Sequence, residues 1–268
     1  NCKKVLLNRD DPFSFEIAAD KNGVCSWYSA SVCADGYASE IEKDVEIDGL
    51  YQHFLWHWQK MPARSISLKL PGLCNVSNAA AALSAFCLLT SDEQYDSYQL
   101  DFSTFSVRGR FEMVGHFQGG TLMIDYAHNE VSTRSVLTTL MEYHPKRLIC
   151  VYGGGGNRSK LRRYDMGEVT GEMADLCVLT CDNPRDEEIR DINNDIKVGL
   201  ARSNGKYIEI DDRKEAIAYC MKNAKPGDMI VLLGKGHEDY QEIKGVKYHF
   251  DEREAVAEIL DEMKAGKR

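Results

Sequence analysis

The sequence predicts an α/β protein whose second half is a mostly parallel sheet wound with helices, and three observations carry that expectation. Strand-like apolar runs alternate with helical stretches from Arg108 onward, several of those runs read as fully buried strands, and polar, glycine-rich or charged loops follow four of them. The first half has shorter, uneven signals and predicts a mixed α/β domain. The 268 residues therefore divide into two expected domains, 1–107 and 108–268, each long enough to bury a core.

The expected strands of the first half are residues 5–7, 15–18, 24–29 and 65–70, the last with alternating apolar side chains. After Leu70-Pro71-Gly72 an alanine- and leucine-rich run predicts a packed helix over 75–89, with two asparagines at its start. In the second half strands are expected at 121–126, 147–152, 176–180, 207–210 and 229–233. Helices are expected at 132–143, at 186–201, where Ile189, Ile192, Ile196 and Leu200 recur at helical spacing, and at 213–223 behind the capping pair Asp211-Asp212. A hairpin over 241–250 turning at Lys244-Gly245 and a last helix over 251–263 complete the pattern.

Composition narrows the function classes. Hydrophobic residues at 43% and charged residues at 28% are the balance of a soluble globular chain, and no apolar run is long enough for a membrane span. No secretion signal opens the sequence, and nine cysteines without CxxC pairs fit reduced thiols, so a cytoplasmic setting is expected. A net charge of −9 speaks against a general nucleic-acid surface.

In an open parallel sheet, ligands bind beyond the carboxyl ends of the strands, where loops and helix N-termini converge. Four loops share that edge here: Asp125-Tyr126-Ala127-His128, Gly153-Gly154-Gly155-Gly156-Asn157-Arg158, Asp182-Asn183-Pro184-Arg185 and Gly234-Lys235-Gly236-His237-Glu238. Each alone is an ordinary turn, but turns chosen only for geometry need not bring arginines, a lysine, a glutamate and histidines to one rim. The glycines suit close approach of backbone to a phosphate or carboxylate. Arg158 and Arg185 offer planar forks to a carboxylate, while Asp182 and Glu238 face an amine, so the ligand implied is amphoteric. There is no GxxxxGK[ST] loop and no dinucleotide fingerprint. Lys160, Arg162 and Arg163 make a basic cluster, either a solvated helix face or a phosphate contact. His128 and Lys160 are the candidates for a catalytic role, and no metal ligands are assigned.

These motifs, preceded by Gly109-Arg110-Phe111-Glu112 and with the last continuing through Asp239-Tyr240, closely resemble those of the Mur ligases of bacterial cell-wall synthesis. Asp182-Asn183-Pro184-Arg185 is similar to the motif of the members that add meso-diaminopimelate. Asn8-Arg9-Asp10-Asp11-Pro12 and Leu70-Pro71-Gly72-Leu73-Cys74-Asn75-Val76-Ser77-Asn78 resemble segments late in the family's central ATPase domain. The resemblance implies a C-terminal Rossmann-like domain that holds the incoming amino acid, behind the latter part of that ATP-binding domain. It implies an ATP- and Mg2+-dependent carboxylate-amine ligase joining meso-diaminopimelate to UDP-MurNAc-L-alanyl-D-glutamate through an acyl phosphate. The family's uridine-nucleotide-binding domain, Walker-type loop and carbamate-bearing lysine have no counterpart in this sequence, so the expectation is a fragment, inactive alone.

Carried over residue by residue, the resemblance places Asn75, Asn78, Arg110 and Asp125 near ATP, and Arg158, Asp182, Asn183, Pro184, Arg185, Gly234 and Glu238 around the diamino acid. Two departures stand out. Asn157 replaces the aspartate common after the glycines, which puts a phosphate or metal-linked role there in doubt, and Asn129-Glu130 replaces Thr-Pro. The rival readings are a sister ligase of folate-polyglutamate or cyanophycin type and a non-catalytic truncated binding module.

Overall fold

The structure, a computed structural model, describes residues 3–19, 25–46, 49–90 and 102–265. The chain folds as two compact units, Asn1–Phe105 and Ser106–Arg268, each around its own apolar cluster.

In the first unit five strands form a mixed sheet in the order β1 (Val5–Asn8), β2 (Cys25–Ser29), β3 (Gly36–Glu46), β4 (Gly49–Trp58), β5 (Arg64–Leu68). The first three are parallel and the last three antiparallel. Phe54, Trp56 and Trp58 alternate to the buried face of β4, and helix α2 (Leu73–Leu89) lays Val76, Ala80 and Leu83 into the same cluster. Buried Gln52 of β4 donates from Nε2 to the carbonyls of Leu70 (2.8 Å) and Gly72 (3.1 Å), which fixes the turn that starts α2.

One expectation for this unit is corrected and one element is new. Residues 15–18 lie in a helix, α1 (Phe13–Ala19), not a strand. Asp11 accepts from the amide of Phe13 at 3.0 Å with its side chain and from that of Ser14 at 3.1 Å with its carbonyl, and Pro12 is pre-set for a first helical turn, so the start signal outweighs the apolar alternation behind it. The β3–β4 hairpin was not anticipated, although the alternation through Phe54, Trp56 and Trp58 is a strand signal.

The second unit is a six-stranded sheet in the order β10 (Tyr207–Glu209), β9 (Leu176–Leu179), β8 (Arg147–Tyr152), β11 (Asp228–Leu233), β7 (Gly120–Asp125), β6 (Glu112–Phe117). Five strands are parallel and β6 is an antiparallel edge. β7 and β11 are buried at every position, the signature of strands covered on both faces. On one side, helices α6 (Arg213–Lys222) and α7 (Glu252–Ala265) bring Ala216, Ile217, Val256 and Ile259 against Leu122, Ile149, Ile230 and Leu232. The remaining helices, α3 (Glu130–Met141), α4 (Lys160–Met173) and α5 (Ile189–Ser203), pack in series. A hairpin, β12 (Tyr240–Ile243) and β13 (Val246–His249), precedes α7. β6 was not anticipated. It closes on β7 through Gln118 and Gly119, both at positive φ, a hairpin turn that suits the twist of the strands.

Candidate binding site

The winding of the sheet sends the chain out of β7, β8, β9 and β11 at one edge, and their loops enclose a cavity of about 120 Å³. Arg158, Arg162 and Arg185 line it together with Asp182, Glu238, Asn183 and Gly234, and His128 and Tyr126 stand at its side. Residues from four separate loops, from Tyr126 to Glu238, thus share one small space, with guanidinium and carboxylate groups both on its wall.

The glycine run is built around its neighbours as much as around a ligand. Gly156 donates its amide to the carbonyl of Asn183 at 2.8 Å, and a Cβ there would lie 1.8 Å from the Pro184 oxygen, so only glycine allows this approach. Arg163 is buried. It donates to the Gly155 carbonyl at 3.0 Å, to both oxygens of Glu187 at 2.7 Å and to Asp195 at 2.9 Å. Of the basic cluster, then, Arg163 anchors the loop instead of offering charge to solvent. Asn157 sits at φ 55°, in the left-handed region asparagine tolerates, with its amide on Glu187 and its side chain 2.7 Å from Asp186.

Arg185, also at positive φ, donates from Nε to Glu242 at 3.0 Å and from Nη1 to the Gly156 carbonyl at 2.9 Å, while its backbone pairs with Glu242 and Lys244 of the β12–β13 hairpin. Its position is therefore set before any ligand arrives, with Nη2 left over. Arg158 makes no hydrogen bond or ion pair among the described residues, so its whole fork is available. Opposite in charge, Glu238 accepts from Asn183 Nδ2 at 2.9 Å and from the Tyr126 hydroxyl at 3.4 Å. Burial, then the charge of Glu238, push the Tyr126 hydroxyl up, so it stays a donor at neutral pH. Gly234, at φ 108°, lets Asp182 come close, since a Cβ would stand 2.6 Å from Asp182 Oδ2.

The remaining candidates fall elsewhere. Pro184 is buried in the turn and does not line the cavity. Lys160 also lies outside the lining, largely exposed, with Nζ 3.3 Å from Asp195. His128 lines the cavity with its Nδ1 hydrogen-bonded to the Tyr126 carbonyl at 2.8 Å. Asp125 is buried and accepts backbone amides on both oxygens, from Phe111 at 2.9 Å and Ala127 at 2.8 Å; burial pushes its carboxyl up despite them. Arg110 lies over the Tyr126 ring, 5.1 Å from its centre. In the first unit, Asn75 donates to the Pro71 carbonyl at 2.7 Å and Asn78 to Asn75 at 3.4 Å. Each Asp125 oxygen accepts one amide and keeps a second lone pair, and Asn75 uses its side-chain amide locally, so neither residue by itself makes a nucleotide or metal site. Two features of the site escaped the sequence reading, Tyr126 as the partner of Glu238 and the full burial of Lys235, a residue expected on the rim. A lysine following an all-apolar strand was the available signal for the second.

A wound parallel sheet with a charged cavity at its carboxyl edge is the arrangement in which α/β domains hold small molecules. Residues 109–236 match the Mur ligase, glutamate ligase domain, and the chain belongs to the Mur ligase family. It is 39% identical over 260 residues to the UDP-N-acetylmuramoyl-L-alanyl-D-glutamate--2,6-diaminopimelate ligase of Caldanaerobacter subterraneus subsp. tengcongensis, covering 97% of this chain and 52% of that protein. A solved structure of a ligase of the same name superposes with a TM-score of 0.67 at 30% identity, over 97% of this chain and 54% of the other. A folylpolyglutamate synthase from Thermotoga maritima superposes with a TM-score of 0.62 at 15% identity, over 86% of this chain and 51% of the other, and shares the fold. The chain spans about half the length of the curated relatives it matches.

Proposed function

We propose that this chain forms the amino-acid-binding side of an ATP- and Mg2+-dependent ligase that adds meso-diaminopimelate to UDP-MurNAc-L-alanyl-D-glutamate in the cytoplasm. One observation carries the reading: Arg158 and Arg185 share a single cavity with Asp182 and Glu238, the charge pattern that one end of a diamino dicarboxylic acid complements. Arg185 and Arg158 hold the carboxylate at that end by charge-assisted hydrogen bonds, and Glu238 with Asp182 receives its ammonium group. The other amine is thereby left directed away from the cavity toward an activated carboxyl, and this chain contributes by positioning. Asn75, Asn78, Arg110 and Asp125 belong to the nucleotide side of the same enzyme, completed by groups outside this sequence. Residues 1–107 are then the latter part of the ATP-binding domain and 108–268 the amino-acid domain.

Calorimetric titration of the purified chain with meso-diaminopimelate, L-lysine and L-glutamate tests the reading. Lysine lacks the carboxylate that the arginines grip at that end, and loss of one charged hydrogen-bonding group costs about 1.5–3 kcal/mol, so lysine is expected to bind roughly 10- to 100-fold more weakly. Equal binding of the three, or none by diaminopimelate, contradicts the proposal. The identity to named diaminopimelate ligases, against a shared fold alone with the folate enzyme, favours this substrate over that of a sister ligase.

A further inference from the structure

Lys235 belongs to the last of the four loops, the reading above leaves it without a task, and its surroundings are unusual. It follows the last buried strand, β11, and is fully buried. Lysine is almost never found so deep unless paired. Its Nζ lies 3.3 Å from Asn183 Oδ1, 3.5 Å from Asp182 Oδ1 and 3.7 Å from Glu238 Oε2. The three acceptors come from two different loops, those after β9 and β11, and strand β8 lies between those strands in the sheet. Each acceptor also lines the cavity. Asp182 Oδ1 has no hydrogen-bond partner in its buried position, so the neighbouring ammonium is the compensation it has.

Charge sharpens the point. Behind the cavity wall Arg213 and Glu252 form a second fully buried ion pair, with Arg213 Nη2 2.7 Å from Glu252 Oε1. On the side away from the arginines of the lining, Lys235 and Arg213 stand against Asp182, Glu238 and Glu252, two cations against three carboxylates, which leaves this part of the wall one negative charge over. A wall of that balance accepts one ammonium group. Without Lys235 two carboxylates of like charge would face each other in a largely buried position, and their repulsion would drive them apart or protonate one.

We propose that Lys235 is a positioning residue for amine recognition: by standing between Asp182, Asn183 and Glu238 it holds the two carboxylates together as one site for a single ammonium group of the ligand. The inference rests on the proposed amino-acid function. Lys235 does not contact the ligand; it acts through Glu238.

A double-variant cycle on the chain, read by calorimetric titration with meso-diaminopimelate, tests it. Lys235→Met keeps the stem and removes the charge, and is expected to weaken binding about 10-fold or more, with Glu238→Gln causing a comparable loss. Because Lys235 acts through Glu238, the variant carrying both changes is expected to bind within about 3-fold of Glu238→Gln alone. A lysine that merely supports the fold would give losses that multiply. Binding by Lys235→Met as tight as wild type, or multiplying losses, overturns the inference while leaving the proposed function standing. A wild-type chain that does not bind diaminopimelate removes the function and the inference together. Should Lys235→Met fail to unfold cooperatively on heating, the comparison is made between Asp182→Asn and Asp182→Asn with Lys235→Met, which restores the charge balance. Because only one of the two carboxylates then remains for Lys235 to hold in place, removing the lysine in that background is expected to change affinity by less than about 3-fold, and a further loss of about 10-fold or more overturns the inference.

Discussion

Arg163 holds Glu187 in its ionised form, and through it the turn at Asn157 that opens the binding loop. The hydrogen bonds from Arg163 keep the Glu187 carboxyl below its usual range. A depressed carboxyl contributes stability that is complete above its unfolded value, about pH 4.3, and is lost as pH falls through the folded value, because the unfolded chain binds the proton first. Thermal melting of wild type and Glu187→Gln is therefore expected to differ most near neutrality and to converge below about pH 4; a gap that widens in acid contradicts this. Cys181, beside Asp182, gives a second residue-scale prediction. Burial pushes its thiol up to about 11, so it is expected to resist alkylation at pH 7.5 in the folded chain and to react once unfolded. Arg158, Arg185, Asp182 and Glu238 were legible in the sequence because each projects from a strand end, where parallel sheets place ligands. The buried states of Lys235 and Arg163 were not. Burial of a cation is decided by acceptors that come from distant loops, and spacing along the chain does not contain them.

At the scale of elements, the site depends on how closely the loop after β8 meets the loop after β9. Gly156→Ala puts a methyl into the Pro184 carbonyl, and overpacking of this kind costs about 1–3 kcal/mol, seen as a lowered melting temperature and weakened diaminopimelate binding together. Unchanged melting and affinity would show that the two loops are freer than their contacts indicate. Helix α3 offers a control away from the cavity wall. Asn129 accepts the Ser132 amide at 3.0 Å, and Ser132 Oγ accepts the Asn129 amide in return, so Asn129→Ala is expected to cost about 1 kcal/mol. This capping box explains why the departure from Thr-Pro at Asn129-Glu130 is tolerated: asparagine supplies a helix start of its own. The parallel strands were legible because they are covered on both faces and read as apolar runs. α1 was not, since its seven residues alternate like a strand and only the Asp11-Pro12 start sets them as a helix. β6 was missed for another reason, as an edge strand has one covered neighbour and a weaker apolar signal.

For the whole molecule, the two units carry different shares of the proposed chemistry. The 268 residues contain no GxxxxGK[ST] loop to cradle nucleotide phosphates, so the chain by itself is expected to show no diaminopimelate-dependent ATP hydrolysis in a phosphate-release assay. Turnover above the rate without enzyme would mean that these residues complete a nucleotide site in a way their hydrogen bonds do not suggest. The proposed amino-acid site needs no such completion: its cavity is lined by four loops of one sheet, and its charges are held by the fold. The central claim is therefore a statement about orientation, open to a crystal structure of this chain grown with meso-diaminopimelate. The account predicts one molecule in the cavity, a carboxylate hydrogen-bonded to Arg158 and Arg185 and the neighbouring amine on Glu238. A ligand bound elsewhere, or with the amine toward the arginines and the carboxylate toward Glu238, would contradict it.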